Sequence, residues 1–372
     1  MECFEKPIMV TKSFLPPMEE YTEKIGEIWA SAWLTNNGKF HNEFEKGLKK
    51  RLGVNEASLF VNGHLALETA IKTLKIKGEI ITTPFTFAST THAIINRGLE
   101  PVFCDIEEGT FNIDPEKIEN LITEKTSAIL PVHVFGNPCN VKKIQEIAKR
   151  YNLKVIYDAA HAFGVKVNDV GIGKFGDISM FSMHATKVFH SIEGGVLTYS
   201  NDKYKSEIEL LKNFGISGPE SVELTGINAK MNEFQAAMGI VNLNYIDEQI
   251  DKRKLITNKY RSLLSKIKGI KYLEDMEGVQ HNYSYFPVLI DKEEYGLDRD
   301  ELHEKLKEYN VFTRKYFYPL CTDFKCYRNY NDLYKLPVAR YVADRVLTLP
   351  IYSDLELKDV EHICEIIMCA KV

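Results

Sequence analysis

The sequence predicts an α/β fold with a large domain, in which a mainly parallel mixed β-sheet lies between helices, and a smaller C-terminal α+β domain. Two observations predict this class. Short apolar segments alternate with helical patterns from residue 58 to residue 199, which is typical of right-handed β-α-β crossovers in a parallel sheet. After about Gly269 shorter strands and helices follow without this regularity. We therefore predict a large domain over residues 1–240, and a linker helix with a small domain over residues 241–372.

The composition is that of a globular protein and excludes several classes. The chain has 372 residues, 44% hydrophobic and 27% charged, enough for a large core. Its net charge of −5 argues against a nucleic-acid partner. We expect no membrane span, because no run of 18 apolar residues exists, and no signal peptide at the start. The seven cysteines are scattered, which predicts no metal site and a reducing, cytoplasmic location.

Two helices are expected before the first strand. Apolar positions recur at helical spacing in Tyr21–Trp33 and again in His41–Leu52, and Gly38 marks the stop between them. We interpret Trp29 and Trp33 as core residues of the first helix.

The first two β-α units follow. Ser58–Val61 is a predicted strand, and a glycine turn joins it to the helical segment Asn62–Ile71. The N-terminus of such a helix presents free backbone N–H groups to an anion, and phosphate is the natural guest. Glu79–Thr82 is the next predicted strand, and Ser89–Asn96 is the helix after it.

The remaining elements continue these patterns. In the large domain we predict strands at Glu100–Asp105 and Ala128–Val134 and helices at Ile113–Ile122, Val141–Tyr151 and Lys203–Asn213, then one long helix from Glu233 through Leu263. In the small domain we predict strands at Ile270–Leu273, Asn282–Leu289 and Val311–Tyr316 and helices at Arg299–Glu308 and Leu357–Met368.

One stretch brings an acid and an amine to neighbouring sheet edges. The apolar run at residues 153–157 fits a strand buried on both faces, and Asp158 ends it. A carboxylate there lies where open α/β sheets hold ligands. The apolar residues 178–181 form a second strand, Lys187 follows in a polar segment, and residues 196–199 form a third strand.

This pair suits Schiff-base chemistry. A neutral lysine amine attacks a carbonyl, and a carboxylate can pair with a protonated pyridine nitrogen. The alternative is that Lys187 is one of 47 Lys and Arg residues that carry surface charge, and that Asp158 is a turn or cap residue. The residue pattern alone leaves both interpretations open.

Three ordered motifs, D-A-A-H-A-F-G, F-S-M-H-A-T-K and E-G-G, resemble the DegT/DnrJ/StrS family of nucleotide-sugar aminotransferases, which depend on pyridoxal 5'-phosphate (PLP). The likeness runs from about Leu15 to about Pro319. It implies the fold type I architecture of aspartate aminotransferase. It also implies that Lys187 carries PLP and that Asp158 binds the pyridine nitrogen, so that these two are the catalytic residues.

The same resemblance assigns further cofactor contacts. The PLP phosphate is expected at Gly63, His64 and Ser182. Phe87 is expected to stack on the pyridine ring, with Phe85 as the weaker candidate, and His161 to contact the 3'-oxygen. The family usually has a hydroxyl residue where this chain has His64, so one hydroxyl contact to the phosphate is expected to be missing.

The resemblance also predicts a partner subunit and substrate residues. Asn228 is expected to reach the cofactor phosphate of the other subunit, which implies a homodimer with shared active sites. The residues expected near the substrate are Thr35, Asn36, Arg314, Lys315 and Tyr316.

The implied reaction moves an amino group from L-glutamate to a nucleotide-linked keto sugar. The start L-P-P-M-E-E-Y and the segment H-A-T-K-V-F favour C4 of a dTDP-4-keto-6-deoxyhexose. Amination at C3, and a catalytically silent sugar-nucleotide-binding protein, stay open as alternatives. Some relatives replace the lysine with His and catalyse dehydration, but the presence of Lys187 argues against that reaction.

Overall fold

A seven-stranded sheet forms the centre of the computed structural model, which describes residues 2–330 and 333–370. In chain order the strands are β1 (Glu56–Phe60), β2 (Glu79–Thr82), β3 (Glu100–Phe103), β4 (Thr126–Leu130), β5 (Lys154–Asp158), β6 (Ile178–Ser182) and β7 (Gly195–Tyr199). Their order across the sheet is β1-β7-β6-β5-β4-β2-β3. Only β7 among these seven runs antiparallel to its neighbours. The prediction of a mainly parallel mixed sheet is therefore confirmed.

Helices cover both faces of this sheet. They are α1 (Met18–Ser31), α2 (Lys39–Leu52), α3 (Gly63–Thr73), α4 (Ala88–Asn96), α5 (Val141–Tyr151), α6 (Lys203–Leu211), α7 (Glu233–Leu243) and α8 (Ile246–Leu264). Along each strand alternate side chains enter two separate cores. On β2, Ile81 belongs to the core to which α2, α5 and α7 also contribute, whereas Ile80 belongs to the core to which α3, α4 and α6 contribute. The strands are apolar on both faces for this reason.

A smaller unit follows α8. Its antiparallel sheet consists of β8 (Ile270–Tyr272), β9 (Phe286–Ile290) and β10 (Val346–Leu349), in that order. Its helices are α9 (Arg299–Lys307), α10 (Pro337–Arg345) and α11 (Leu357–Cys369). A hydrophobic core from Ile256 to Ala370 belongs to this unit. The division of the chain between residues 240 and 241 stays a prediction.

Several shorter elements complete the chain. They are strands at Ile8–Met9, Lys166–Val167, Val170–Gly171, Ile216–Gly218, Ser221–Val222, Val279–Gln280 and Val311–Phe312, helices at Pro115–Ile118 and Lys292–Tyr295, and 3₁₀ turns at Glu119–Leu121, Val134–Gly136, Ile172–Lys174, Cys321–Asp323 and Lys325–Tyr330.

The interpretation of Trp29 and Trp33 as core residues is wrong. Their exposed fractions are 72% and 53%. Helix α1 packs on α7 through Ile28, which is buried, and through Tyr21, whose hydroxyl donates to the carbonyl of Phe234 at 3.2 Å. Because neighbouring helical residues point about 100° apart, Trp29 lies on the open face when Ile28 faces the core.

Several predicted elements also differ from the structure. The expected single helix from Glu233 through Leu263 is broken at Asn244 and Tyr245 into α7 and α8. The expected strand Val311–Tyr316 is reduced to two residues, which pair with the N-terminal segment Ile8–Met9. Helix α10 and strand β10 were not predicted.

Within the described ranges, no helix combines the length and apolar character needed to cross a bilayer. The same residues contain no group of three His, Cys, Asp or Glu side chains that could hold a metal ion. All seven cysteines are free thiols.

Candidate active site

A cavity of about 320 Å³ opens at the carboxyl ends of the parallel strands. Its lining draws on the residues after β1, β2, β5 and β6, because the carboxyl ends of parallel strands meet at one edge of the sheet. Among the predicted site residues the lining contains Gly63, His64, Phe87, Asp158, His161, Ser182, Lys187 and Tyr316. The structure thus brings together in space residues that span 253 positions of sequence (316 − 63).

Asp158 ends β5 and is buried, with an exposed fraction of 4%. Its Oδ2 accepts from the Thr90 hydroxyl at 2.8 Å, and its Oδ1 accepts from the Ala160 N–H at 3.0 Å. Burial raises the pKa of Asp158, while these two hydrogen bonds and the charge of Lys187 oppose the rise. Each carboxylate oxygen can accept a further hydrogen bond, so Asp158 can receive a donor from the cavity.

Lys187 follows β6 in the loop that leads to β7. Its backbone N–H donates to the carbonyl of His184 at 2.9 Å, which closes a turn and directs the side chain to the cavity. The Nζ atom lies 5.9 Å from the centre of the Tyr285 ring. The charge of Lys187 lowers the pKa of both Asp158 and His161, so the amine acts on both groups across the same space.

His161 is held in one orientation and one protonation state. Its Nδ1 accepts from the Phe135 N–H at 3.2 Å, and its ring lies parallel to Phe317 at 5.8 Å between centres. Burial, and then the charge of Lys187, lower the pKa of His161 well below its usual value. In a neutral ring whose Nδ1 accepts, the hydrogen is on Nε2. His161 is therefore a neutral donor at the cavity wall.

Two glycines bring the start of α3 against the sheet. A β-carbon at Gly63 would lie 3.0 Å from the sulfur of Met180 and 3.2 Å from the β-carbon of Ser182. One at Gly195 would lie 2.5 Å from the Asn62 carbonyl oxygen. The backbone N–H groups of the first turn of α3 therefore lie beside Ser182, in an arrangement suited to an anion.

Of the two phenylalanines after β2, only Phe87 faces the cavity. Its exposed fraction is 61%, whereas Phe85 is fully buried. Phe85 packs edge-on against Phe111 and Phe317 at 5.9 and 5.7 Å. Phe87 is thus available to a flat ligand, and Phe85 is part of the core.

The structure does not bring the remaining predicted residues into this cavity. Arg314 and Lys315 line a second cavity of about 430 Å³, which Tyr316 shares with the first. Lys315 Nζ lies 2.6 Å from an oxygen of Asp300. Within the described part of the chain, Thr35, Asn36 and Asn228 lie outside the lining of both cavities.

Sequence reasoning missed several residues that support or line the cavity. Thr90 supports Asp158 from α4, and Tyr285 and Phe317 close the cavity from the second half of the chain. The signal for Thr90 is its place at the start of a helix that follows a strand. The signal for Phe317 is its place directly after Tyr316, which was predicted near the substrate. Tyr285 carries no local signal, because its role depends on how distant segments fold together.

The comparisons with known proteins cover almost all of the chain. The model of the DegT/DnrJ/EryC1/StrS aminotransferase family matches residues 17–368. A dTDP-4-amino-4,6-dideoxy-D-glucose transaminase of Escherichia coli is 46% identical over 367 residues, 98% of this chain and 99% of that protein. An enzyme of the same name from Shigella dysenteriae is 44% identical over 359 residues, 96% of this chain and 98% of that protein.

A solved structure extends the likeness to the fold. DesI, crystallised in the presence of its TDP-sugar product, has a TM-score of 0.95 and 33% sequence identity. The match covers 100% of this chain and 94% of that chain. The predicted fold class is therefore confirmed over both the large and the small unit.

Proposed function

This chain belongs to the DegT/DnrJ/EryC1/StrS aminotransferase family, and on that premise we propose that it transfers an amino group from L-glutamate to C4 of dTDP-4-keto-6-deoxy-D-glucose, with PLP as its cofactor. The observation that carries this proposal is the pair of relatives, 46% and 44% identical over nearly the full chain, that are dTDP-4-amino-4,6-dideoxy-D-glucose transaminases. They favour C4 over C3 amination.

Three features of the first cavity support PLP as the cofactor. Asp158 has free acceptor capacity beneath the cavity floor. The close packing of Gly63 on Ser182 leaves backbone N–H groups for a phosphate. Phe87 presents an exposed aromatic face to a flat ring. Bound there, PLP would serve as an electron sink for the carbanion that forms at the α-carbon of the donor.

We assign Asp158 and His161 to the two sides of the cofactor ring. The Asp158 carboxylate would accept the hydrogen of the pyridine nitrogen, and the Thr90 hydroxyl and the Ala160 N–H keep that carboxylate oriented. The His161 Nε2–H group would donate to the 3'-oxygen of the cofactor. Because burial keeps His161 neutral, it supplies a donor without adding a charge.

We assign two tasks to Lys187. Its Nζ would bind the cofactor aldehyde at rest. When the amino donor takes that place, the same Nζ would take the proton from the donor α-carbon and deliver it to C4', the cofactor carbon that receives the amino group. A lysine on a loop between two strands suits this role, because its long side chain can move while the sheet stays fixed.

The second cavity is the proposed site of the nucleotide diphosphate. It shares the lining residue Tyr316 with the first cavity and is also lined by Lys307, Arg314 and Lys315. Arg and Lys side chains bind diphosphate oxygens. Lys315 is held by Asp300 at 2.6 Å. Arg314 is exposed and is the stronger candidate for a direct phosphate contact.

We further propose a homodimer in which Asn228 acts across the subunit interface. Thr35 and Asn36 are proposed to act across the same interface. The exposed apolar side chains of Trp29, at 72%, and Val222, at 69%, support a covered surface. Residues 1–240 would form the cofactor-binding domain and residues 241–372 the small domain. A cytoplasmic location is part of the proposal, supported by seven free thiols.

The cofactor is tested by absorbance and borohydride. The purified protein should absorb in the visible range, and borohydride should fix the cofactor to the chain, with mass spectrometry locating it on Lys187. K187A should bind the cofactor reversibly and lose turnover. K154R, at a half-exposed lysine paired with Asp177, is the matched control. Full turnover by K187A would overturn the proposed mechanism.

The acceptor is tested with a panel of keto-sugar nucleotides and L-glutamate. We expect amination of the dTDP-4-keto sugar, with NMR placing nitrogen on C4. Nitrogen on C3 would overturn the positional assignment. Binding of the sugar nucleotide with no amination of any acceptor, by protein that carries the cofactor, would identify a silent binding protein instead.

A further inference from the structure

A chain of polar contacts crosses from α3 to α4 at the edge of the first cavity. Ser89 Oγ lies 2.9 Å from Nδ1 of His64, and Nε2 of the same ring lies 3.1 Å from Oε1 of Glu68. Asn96 donates to that Glu68 oxygen at 2.8 Å. His64 and Ser89 both line the cavity. The four side chains come from two helices that both begin at the cavity.

The hydrogen positions in this chain follow from the chemistry of its members. Nε2 of His64 faces Glu68 Oε1 at 3.1 Å and the amide nitrogen of Asn96 at 3.5 Å. Because a carboxylate only accepts and is the nearer of the two, we place a hydrogen on Nε2, directed at Glu68. The Ser89 hydroxyl then has two possible arrangements. It donates to Nδ1, or it accepts from a protonated Nδ1 and turns its own hydrogen into the cavity. An anion in the cavity favours the second arrangement, since the hydroxyl then faces the anion as a donor.

The two partners of Glu68 explain why a carboxylate lies at this position. The side chain is 12% exposed and lies one helical turn from the anion-binding start of α3, where a free carboxylate would repel a phosphate. His64 lies between this carboxylate and the cavity, and Asn96 donates to the same carboxylate oxygen. The Glu68 charge is therefore used to hold the His64 ring in place, while the cavity meets the imidazole and the hydroxyl.

We propose that Ser89 donates its hydroxyl to the phosphate group of the cofactor, and that His64 and Glu68 are positioning residues that hold this hydroxyl in its donating orientation. This inference rests on the proposed function, since it names a contact to the cofactor of that function. The contact adds a donor from α4 to the group formed by Gly63 and Ser182. It gives His64 a role that its position at the start of α3 alone does not explain.

The test compares two ligands that differ only in the phosphate. The dissociation constants of pyridoxamine 5'-phosphate and of pyridoxamine are measured for the full-length protein and its variants. S89A should weaken binding of the phosphorylated ligand by about ten-fold or more, the usual effect of a lost hydrogen bond to a charged group. Its affinity for pyridoxamine should not change. S89T keeps a hydroxyl and should bind both ligands like the wild type.

The positioning role is tested by a double-mutant comparison. H64A should weaken binding of the phosphorylated ligand about as much as S89A, and the double variant H64A/S89A should be little weaker than either, because one contact is lost in all three. H92A, on the same helix as Ser89 but outside the cavity lining, is the matched control and should leave both affinities unchanged.

The outcomes separate the two proposals. If S89A weakens both ligands equally, or neither, the contact from Ser89 to the phosphate does not exist. If H64A and S89A add fully, His64 does not act through Ser89. If the wild-type protein binds pyridoxamine 5'-phosphate no better than pyridoxamine, the proposed cofactor site itself fails, and this inference fails with it.

Discussion

Thr90 is the residue that connects the ionisation of Asp158 to the packing of α4. Its hydroxyl donates to Asp158 Oδ2 at 2.8 Å and lies 3.0 Å from the Thr86 hydroxyl. Burial alone raises the pKa of Asp158, and the Thr90 hydrogen bond is the largest of the effects that oppose this rise. The charge that the proposed reaction needs on Asp158 therefore depends on one hydroxyl outside the sequence motifs.

We predict that T90V raises the pKa of Asp158 further. The carboxylate is lost as the pH falls through its pKa, so a higher pKa moves the acid limb of the kcat/KM profile to higher pH. Turnover should fall about ten-fold or more, the cost of a hydrogen bond to a charged group. T90S keeps the hydroxyl and should retain the wild-type profile. The measurement is kcat/KM against pH for T90V, T90S and wild type, and an unshifted acid limb in T90V would contradict the assignment.

At this scale the sequence identifies residues next to a recognisable motif and misses those that reach the site from elsewhere. Asp158, His161, Ser182 and Lys187 were predicted, and all four line one cavity. Thr90 was missed, since its contact depends on how α4 packs against the end of β5. That packing is set by tertiary structure and leaves no local pattern.

At the scale of elements, the start of α2 depends on a side chain from α7. Glu233 is 2% exposed, and its two carboxylate oxygens accept from the backbone N–H groups of Phe40 and His41, both at 2.8 Å. A helix leaves its first N–H groups without internal partners, and a negative charge there is favourable. Glu233 thus joins α2 to α7 next to the exposed segment at residues 34–38.

We predict that E233A destabilises the protein by about 2 to 3 kcal/mol, because it leaves two buried N–H groups without their acceptor. Thermal unfolding should show the melting temperature falling by a few degrees. E43A, at an exposed position on α2, is the control and should have little effect. E233Q keeps one acceptor and should lie between the two. An E233A melting temperature equal to that of E43A would contradict the proposed cap.

The elements that the sequence predicts correctly are those with a clear apolar pattern at the period of a strand or of a helix. The strand Glu79–Thr82 and the helix Val141–Tyr151 were predicted with the bounds that the structure has, because each has a clear apolar pattern and clear ends. The break between α7 and α8 was missed, since the polar residues Asn244 and Tyr245 are compatible with a helix. Trp29 was misplaced because hydrophobicity alone does not tell whether an apolar side chain is buried in the core of its own chain.

At the scale of the whole molecule, a single chain does not bring all of its predicted site residues to the first cavity. Asn228 lies outside its own cavity lining, among the described residues, and its Oδ1 accepts from Lys230 at 2.7 Å. The hairpin at residues 216–222 nearby exposes Ile216 and Val222, at 40% and 69%. Exposed apolar side chains grouped in this way are typical of an interface, which agrees with the proposed homodimer.

We predict that two inactive variants restore activity when their subunits mix. In the proposed dimer each site combines Lys187 of one chain with Asn228 of the other. A dimer of one K187A chain and one N228A chain therefore contains one site that lacks both residues and one that is intact. Random mixing makes about half of the dimers of this kind, so activity should recover to about a quarter of the wild-type value.

The control mixes K187A with D158A, whose changed residues would belong to the same site. Each mixed dimer then has one site without Lys187 and one without Asp158, so no activity should return. Recovery is measured by glutamate-dependent amination after unfolding and refolding the mixture together. If the K187A and N228A mixture stays as inactive as this control, Asn228 does not act across the interface.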